Sequence, residues 1–247
     1  MLFFAAMLAG HAAEPAAPEL VDAIVEAYGG RQRLSEVHGY RLEGTIETAR
    51  GLTGKVVRVV GLPDKLRVDL AYPDSPEKRL LIGDQGWRSG HGVMGEAKGP
   101  LLDSMVLPLG RAALPWDLDA HRAEATLIDP ISVDGRSLPG LRFPLRDGLS
   151  VALWVDLDTH LIRKREASMS MPPMSFTAIY GDHREVDGVV FAFSEGTFAG
   201  ETMTSTIHVQ SVQLDLETEF TPPKRAPEGS SPLPPGHPAM DEPMPRG

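Results

Sequence analysis

From Tyr40 onward the hydrophobic period of this chain is two, and this constrains its fold more than any other sequence feature. Leu42, Gly44 and Ile46 alternate with Arg41, Glu43, Thr45 and Glu47, as in a strand with one buried and one wet face. Gly51 to Gly54 reads as a turn, Lys55 to Val60 as the next strand, and Leu62-Pro63-Asp64 as another turn, because proline fixes φ and removes a donor. Leu66, Val68 and Leu70 then alternate with Lys65, Arg67 and Asp69, and Lys78 to Ile82 and Gly86 to Ser89 continue the meander. Strands resume at Ala125 to Ile128, Leu141 to Pro144, Val151 to Asp156, Ile162 to Met171, Met174 to Tyr180, Val189 to Phe193 and Thr202 to Leu214. Asp134-Gly135, Asp147-Gly148, Asp158-Thr159 and Asp187-Gly188 mark their turns. The expected fold class is mainly β, with one strongly curved antiparallel sheet.

Helical spacing occurs twice. In Glu19 to Tyr28, Leu20, Ile24 and Ala27 share a face with Val21 and Tyr28, and Gly29-Gly30 ends the element. Arg31 to Val37 adds a turn before the sheet. Between Gly90 and Ala125 the alternation stops. Gly90, Gly92, Gly95 and Gly99 read as a flexible loop, followed by Leu101, Leu102, Met105, Val106 and Leu109 at a helical three-to-four spacing. Leu114 to Leu118 reads as a loop or a second short helix.

The ends carry different signals. Residues 1–13 form an apolar run closing on small residues and read as a secretory signal, with 14–18 as a Pro/Ala linker. The β domain is expected over 19–221, and 222–247 is a Pro-rich tail with no apolar period. No later segment approaches about 20 consecutive apolar residues, the length of a spanning helix. With no cysteine in 247 residues, disulfides, thiol catalysis, Cys-based zinc sites and a lipidated Cys anchor are all removed. The net charge of −10 argues against a nucleic-acid partner, which requires a cationic face.

Chemistry-bearing patterns are sparse. The eight histidines fall in no compact ligand spacing, so no metal or other cofactor is expected. Asp156, Asp158 and His160 would share one face of a strand, as in an acid/base or hard-metal cluster. They also fall where a hairpin turn is needed and where Asp bonds its local backbone, and we adopt that reading. No G-x-S-x-G elbow or phosphate-cradling glycine loop is present, so no catalytic residue is assigned.

Three segments resemble the LolA/LolB lipoprotein-carrier fold family: the helix end AYGGRQRL; TGKVVRVVGLPDKLRVDLAYPDSPEKRLLIGDQGWR; and WVDLDTHLIRKRE, YGDHREVDGVVFAF and FTPP together. The likeness spans most of Glu19 to Pro223. It implies a half-open antiparallel β-barrel with an N-terminal helix and a short helical lid insert, holding acyl chains in an apolar groove. The groove and lid would then draw on Leu66, Val68, Leu70 and Trp87, on Leu101, Leu102, Met105, Val106 and Leu109, and on Met169, Met171, Met174, Phe176, Phe191 and Phe193. Methionine suits a surface that accepts varied chains, although core packing would use the same residues. In the family's ATP-fuelled shuttle carrier an arginine precedes the turn proline and helps hold the lid shut; here that position is Leu62.

The resemblance implies a soluble periplasmic monomer that is not an enzyme. It would bind a lipid acyl chain or a lipidated protein and meet a membrane-associated donor or acceptor. An envelope sensor on the same fold, a packed scaffold without ligand, and a hydrolase with an unrecognised site are the alternatives.

Overall fold

The computed structural model describes residues 16–90, 93–133, 135–146, 149–170, 173–215 and 220–223. The expected leader and the tail beyond Pro223 lie outside them. Two helices, α1 (Ala17–Ala27) and α2 (Gly30–Glu36), precede six strands: β1 (Gly39–Thr48), β2 (Thr53–Gly61), β3 (Lys65–Ala71), β4 (Glu77–Ile82), β5 (Gln85–Gly90) and β6 (Val93–Ala97). Helices α3 (Pro100–Ala112) and α4 (Trp116–Ala120) follow. Seven more strands complete the chain: β7 (Thr126–Val133), β8 (Arg136–Arg146), β9 (Leu149–Val155), β10 (Ile162–Ser170), β11 (Pro173–Val186), β12 (Val189–Ala199) and β13 (Thr202–Leu214).

All thirteen strands join one sheet in the order β6-β5-β4-β3-β2-β1-β13-β12-β11-β10-β9-β8-β7. The chain meanders outward from β1 to one edge, reappears at the opposite edge, and meanders back until β13 pairs antiparallel with β1. The connection between the two edges must cross a face of the sheet, and it carries α3 and α4. Topology therefore places these helices over the hollow.

Several sequence expectations are corrected. The linker assigned to 14–18 overlaps α1, which starts at Ala17 with Pro18 in its first turn, where a missing N–H costs nothing. The glycine-rich run read as a flexible loop contains β6, with Gly86↔Ala97 and Gly90↔Val93 pairing it to β5. Strands β7, β8, β11 and β12 are longer than their apolar cores, because ladder hydrogen bonds continue where the hydrophobic alternation fades. The Leu114–Leu118 segment, expected as a loop or a second short helix, takes the helical alternative in α4.

The concave face is filled by the helices. Leu20, Val21, Ile24 and Val25 of α1 are at most 1% exposed. Burying each such side chain is worth roughly 1.5–3 kcal/mol. The core they join includes Tyr40 and Leu42 of β1, Leu141 and Phe143 of β8, and Val189 and Phe191 of β12. Gly29 ends α1 at φ 127°, and a Cβ there would stand 2.3 Å from the Gly188 carbonyl oxygen. Only glycine lets the helix end meet the β11–β12 hairpin this closely. That hairpin turns through Asp187 (φ 48°) and Gly188 (φ 78°), as an Asp-Gly pair should. Across the α1–α4 junction, Arg122 donates from Nε and Nη2 to both Asp22 oxygens at 2.6 Å.

Segment 220–223 lies on the outer face, where the Phe220 ring stands 2.7 Å from the position a Gly61 Cβ would take. Among the described residues, no helix is long and apolar enough to cross a membrane.

Candidate functional site

Between the concave face and α3 lies a cavity of about 430 Å³. Its apolar wall is built by strand parity: Ile46 from β1, Val56 from β2, Val68 and Leu70 from β3, Ile207 from β13. Helix α3 closes it with Met105, Leu107 and Pro108, and Phe176 of β11 adds an aromatic side. The helix approaches the sheet closely because β5 offers Gly86 beneath it; a Cβ there would stand 2.7 Å from Leu102 Cδ1. Hydrogen bonds from β1 and β10 tie α3 down. The Tyr40 hydroxyl donates to the Ala112 carbonyl at 2.7 Å, and Arg165 Nη2 donates to the Leu107 carbonyl at 3.1 Å.

The cavity is not uniformly apolar. Arg58 and Arg165 are 4% and 2% exposed, and both line it. Arg58 Nη1 donates to Glu195 Oε2 at 3.2 Å, with both side chains buried. Burial works against the Arg58 charge, but the Glu195 carboxylate outweighs it, and the guanidinium is held even more firmly protonated than usual. Near the mouth, Glu77 Oε1 receives Arg79 Nε at 2.5 Å and Arg88 Nε at 2.7 Å. Burial disfavours the Glu77 charge, and these two arginines reverse the effect and hold its carboxyl low. Opposite them, Thr197 Oγ1 lies 2.7 Å from Ser205 Oγ and 2.8 Å from Thr204 Oγ1, a hydroxyl band that also lines the space.

The residues expected to form groove and lid are distributed unevenly. Val68, Leu70, Met105 and Phe176 line the cavity. Leu66 borders a separate space of only about 10 Å³ with Val68 and Met105, and Phe191 borders one of about 50 Å³. Val106, Leu109 and Phe193 are buried in the main core, and Leu102 packs against it. Leu101 is 39% exposed. Trp87 pairs with Leu80, whereas neighbouring Gly86 faces α3, so Trp87 belongs to the outer face. Met169 and Met174 are register partners on β10 and β11, and Met171 lies outside the described residues. At 3%, 6% and 9% exposure, Met105, Val106 and Leu109 make α3 a wall continuous with the core rather than a loosely seated cover.

Sequence reasoning missed the buried charges. Arg58 shares its parity with Val56 and Val60, and Glu195 with Phe191 and Phe193, so a polar residue at an apolar-parity position was the available signal. Arg165 shares its parity with Ala167 and Met169 but not with Ile162, because the register slips between Ile162 and Lys164 and exchanges the faces of the strand, so its signal was mixed.

Asp156, Asp158 and His160 form a turn. Asp156 Oδ1 accepts from the backbone N–H groups of Asp158 at 2.9 Å and Thr159 at 3.2 Å, and His160 takes φ 55°. Burial opposes ionisation of Asp156, but those N–H donors and the charges of Arg136 and Arg163 prevail, so its pKa is lowered. Among the described residues no three His, Asp or Glu side chains are placed to hold a metal ion.

Asp117, at the start of α4, differs. Burial raises its pKa to about 6, against the opposing charges of His121 and Arg165. A carboxyl whose folded pKa lies above its unfolded value of 3.8 contributes stability at low pH. That contribution is lost as pH rises through about 6, because the unfolded state releases its proton first. Asp117→Asn is therefore expected to gain stability relative to wild type between pH 4 and pH 7, read from urea midpoints. A difference that stays flat with pH would contradict this assignment.

A single antiparallel sheet wrapped around helices, open at both edges and hollow beneath a crossing helix, defines the class of open half-barrels. Within that class the fold is LolA-like. The chain superposes on a LolA superfamily protein from Nitrosomonas europaea with a TM-score of 0.57 at 14% identity, covering 85% of this chain and 99% of that one. A putative outer membrane lipoprotein-sorting protein domain from Vibrio parahaemolyticus gives a TM-score of 0.53 at 12% identity, covering 82% and 95%. A DUF1329 family protein from Desulfovibrio piger gives 0.56 at 13%, covering 83% and 96%. No family model matches the sequence, and no curated protein matches it.

Proposed function

We propose that this protein is an exported, periplasmic monomer that binds or carries lipid acyl chains, free or attached to a protein, without catalysing a reaction. The observation that carries this reading is the 430 Å³ cavity walled by the concave sheet and α3, a volume within the roughly 300–1,000 Å³ of ligand pockets. At about 30 Å³ per methylene, similar to a liquid water molecule, the space takes on the order of a dozen methylenes. At roughly 0.8 kcal/mol each, these give on the order of 10 kcal/mol. Lost translational and rotational freedom subtracts at least about 4 kcal/mol, so the dissociation constant is no tighter than about tens of micromolar. The fold shared with a lipoprotein-sorting domain supports the reading, and exchange with a membrane-associated donor or acceptor would complete its cycle.

A neutral apolar dye is expected to brighten on mixing with the protein, to saturate at one equivalent, and to be displaced by long-chain but not short-chain alcohols. Absence of saturable binding would remove the carrier reading and leave a packed scaffold.

A further inference from the structure

The cavity carries more positive charge than an acyl-chain pocket needs. Four arginines line it, Arg58, Arg79, Arg88 and Arg165, against the single carboxylate of Glu77. Glu195 meets Arg58 from behind the wall, and the field of Asp117 opposes Arg165 from α4. Even with both carboxylates counted as charged, the cations named here outnumber the anions four to three among the described residues, in a chain whose net charge is −10. The two innermost cations, Arg58 and Arg165, are the least exposed. Water screens them little there, so their attraction for an anion is stronger than at a surface. Arg58 Nε is buried without an acceptor among the described residues. The guanidinium fork also matches the geometry of carboxylate and phosphate oxygens.

The remaining wall is apolar on one side and hydroxyl-bearing at Thr197, Thr204 and Ser205, which is the chemistry of an amphiphile rather than of a pure hydrocarbon. The volume limits chain number. Space for on the order of a dozen methylenes matches one alkyl chain better than the two or three of a diacyl or triacyl lipid.

We propose that the cavity selects a single-chain anionic amphiphile, with its head group recognised by Arg58 and Arg165 and its chain laid against Val56, Val68, Met105 and Phe176. This rests on the carrier reading and narrows it to a ligand class.

The test compares ligands of one chain length on the full protein by titration calorimetry: myristate, myristoyl lysophosphatidate, 1-tetradecanol and tetradecyltrimethylammonium. Both anions are expected to bind at least about tenfold more tightly than the alcohol, since hydrogen bonds to charged groups exceed neutral ones by this margin. The cation should bind most weakly. Whichever anion is tighter identifies the head group as carboxylate or phosphate. Arg58→Gln combined with Glu195→Gln removes a buried charge pair while keeping amide bonding. It should shrink the anion-to-alcohol ratio toward one, and reading a ratio cancels any loss common to both ligands.

If this variant fails to fold, the wild-type ratio alone decides. Equal affinity for myristate and tetradecanol would overturn the anion proposal and leave the carrier reading standing. No binding of any of the four would overturn both.

Discussion

Glu195→Ala is expected to destabilise the protein by about 3–5 kcal/mol, the usual cost of leaving one member of a buried ion pair without its partner. The side chains of Arg58 and Glu195 are 5% and 6% exposed, and their 3.2 Å contact joins β2 to β12, strands that are not neighbours in the sheet. Removing the carboxylate leaves a guanidinium that burial already disfavours and that Glu195 keeps charged. Arg58→Met combined with Glu195→Leu should cost much less, because desolvation offsets most of a buried pair's attraction. Urea midpoints at constant m-value would separate the two variants. A loss below about 1 kcal/mol for Glu195→Ala would show that water reaches the pair, as it does exposed ones.

Val106→Asp is expected to cost several kcal/mol and to yield aggregated or partly folded protein, because it buries a carboxylate within the core. Leu101→Asp, five residues earlier on the same helix, should change stability by no more than about 0.5 kcal/mol, as exposed substitutions generally do. Val106 is 6% exposed and Leu101 is 39% exposed. The contrast separates two roles for α3 that the sequence leaves equivalent. A detachable cover would tolerate both substitutions, and thermal melts showing well-folded Val106→Asp protein would restore that picture. In the proposed carrier a packed α3 means that exchange requires a local opening, and the stretch around Pro108, whose ring removes a helical hydrogen bond, is the natural place for it.

The β character of the chain was legible because period-two alternation and Asp-Gly turns are local. Asp187-Gly188 specifies its hairpin by backbone geometry alone, and Leu66, Val68 and Leu70 specify their shared face by parity. The apolar spacing from Leu101 to Leu109 likewise determined a helix. Local pattern failed where hydrogen bonding outlasted hydrophobicity, as in β6, whose Val93–Ala97 run has glycine at its centre and pairs only because β5 presents an open edge.

The site depended on long-range geometry. Arg165 reaches the cavity because a bulge at Ile162/Lys164 exchanges the faces of β10, so the parity set by Ile162 does not carry through to Arg165 and Ala167. Trp87, equivalent by its type to the other groove candidates, faces outward because Gly86 takes the inward position beneath α3. The sequence by itself determined which segments are strands and helices, since torsional preference and side-chain parity act over a few residues. Only the tertiary structure decided that the chain leaves one edge of the sheet and returns at the other. That crossing lays α3 over the hollow and gathers Arg58, Arg165 and the apolar wall around one space, through contacts between residues far apart in the chain.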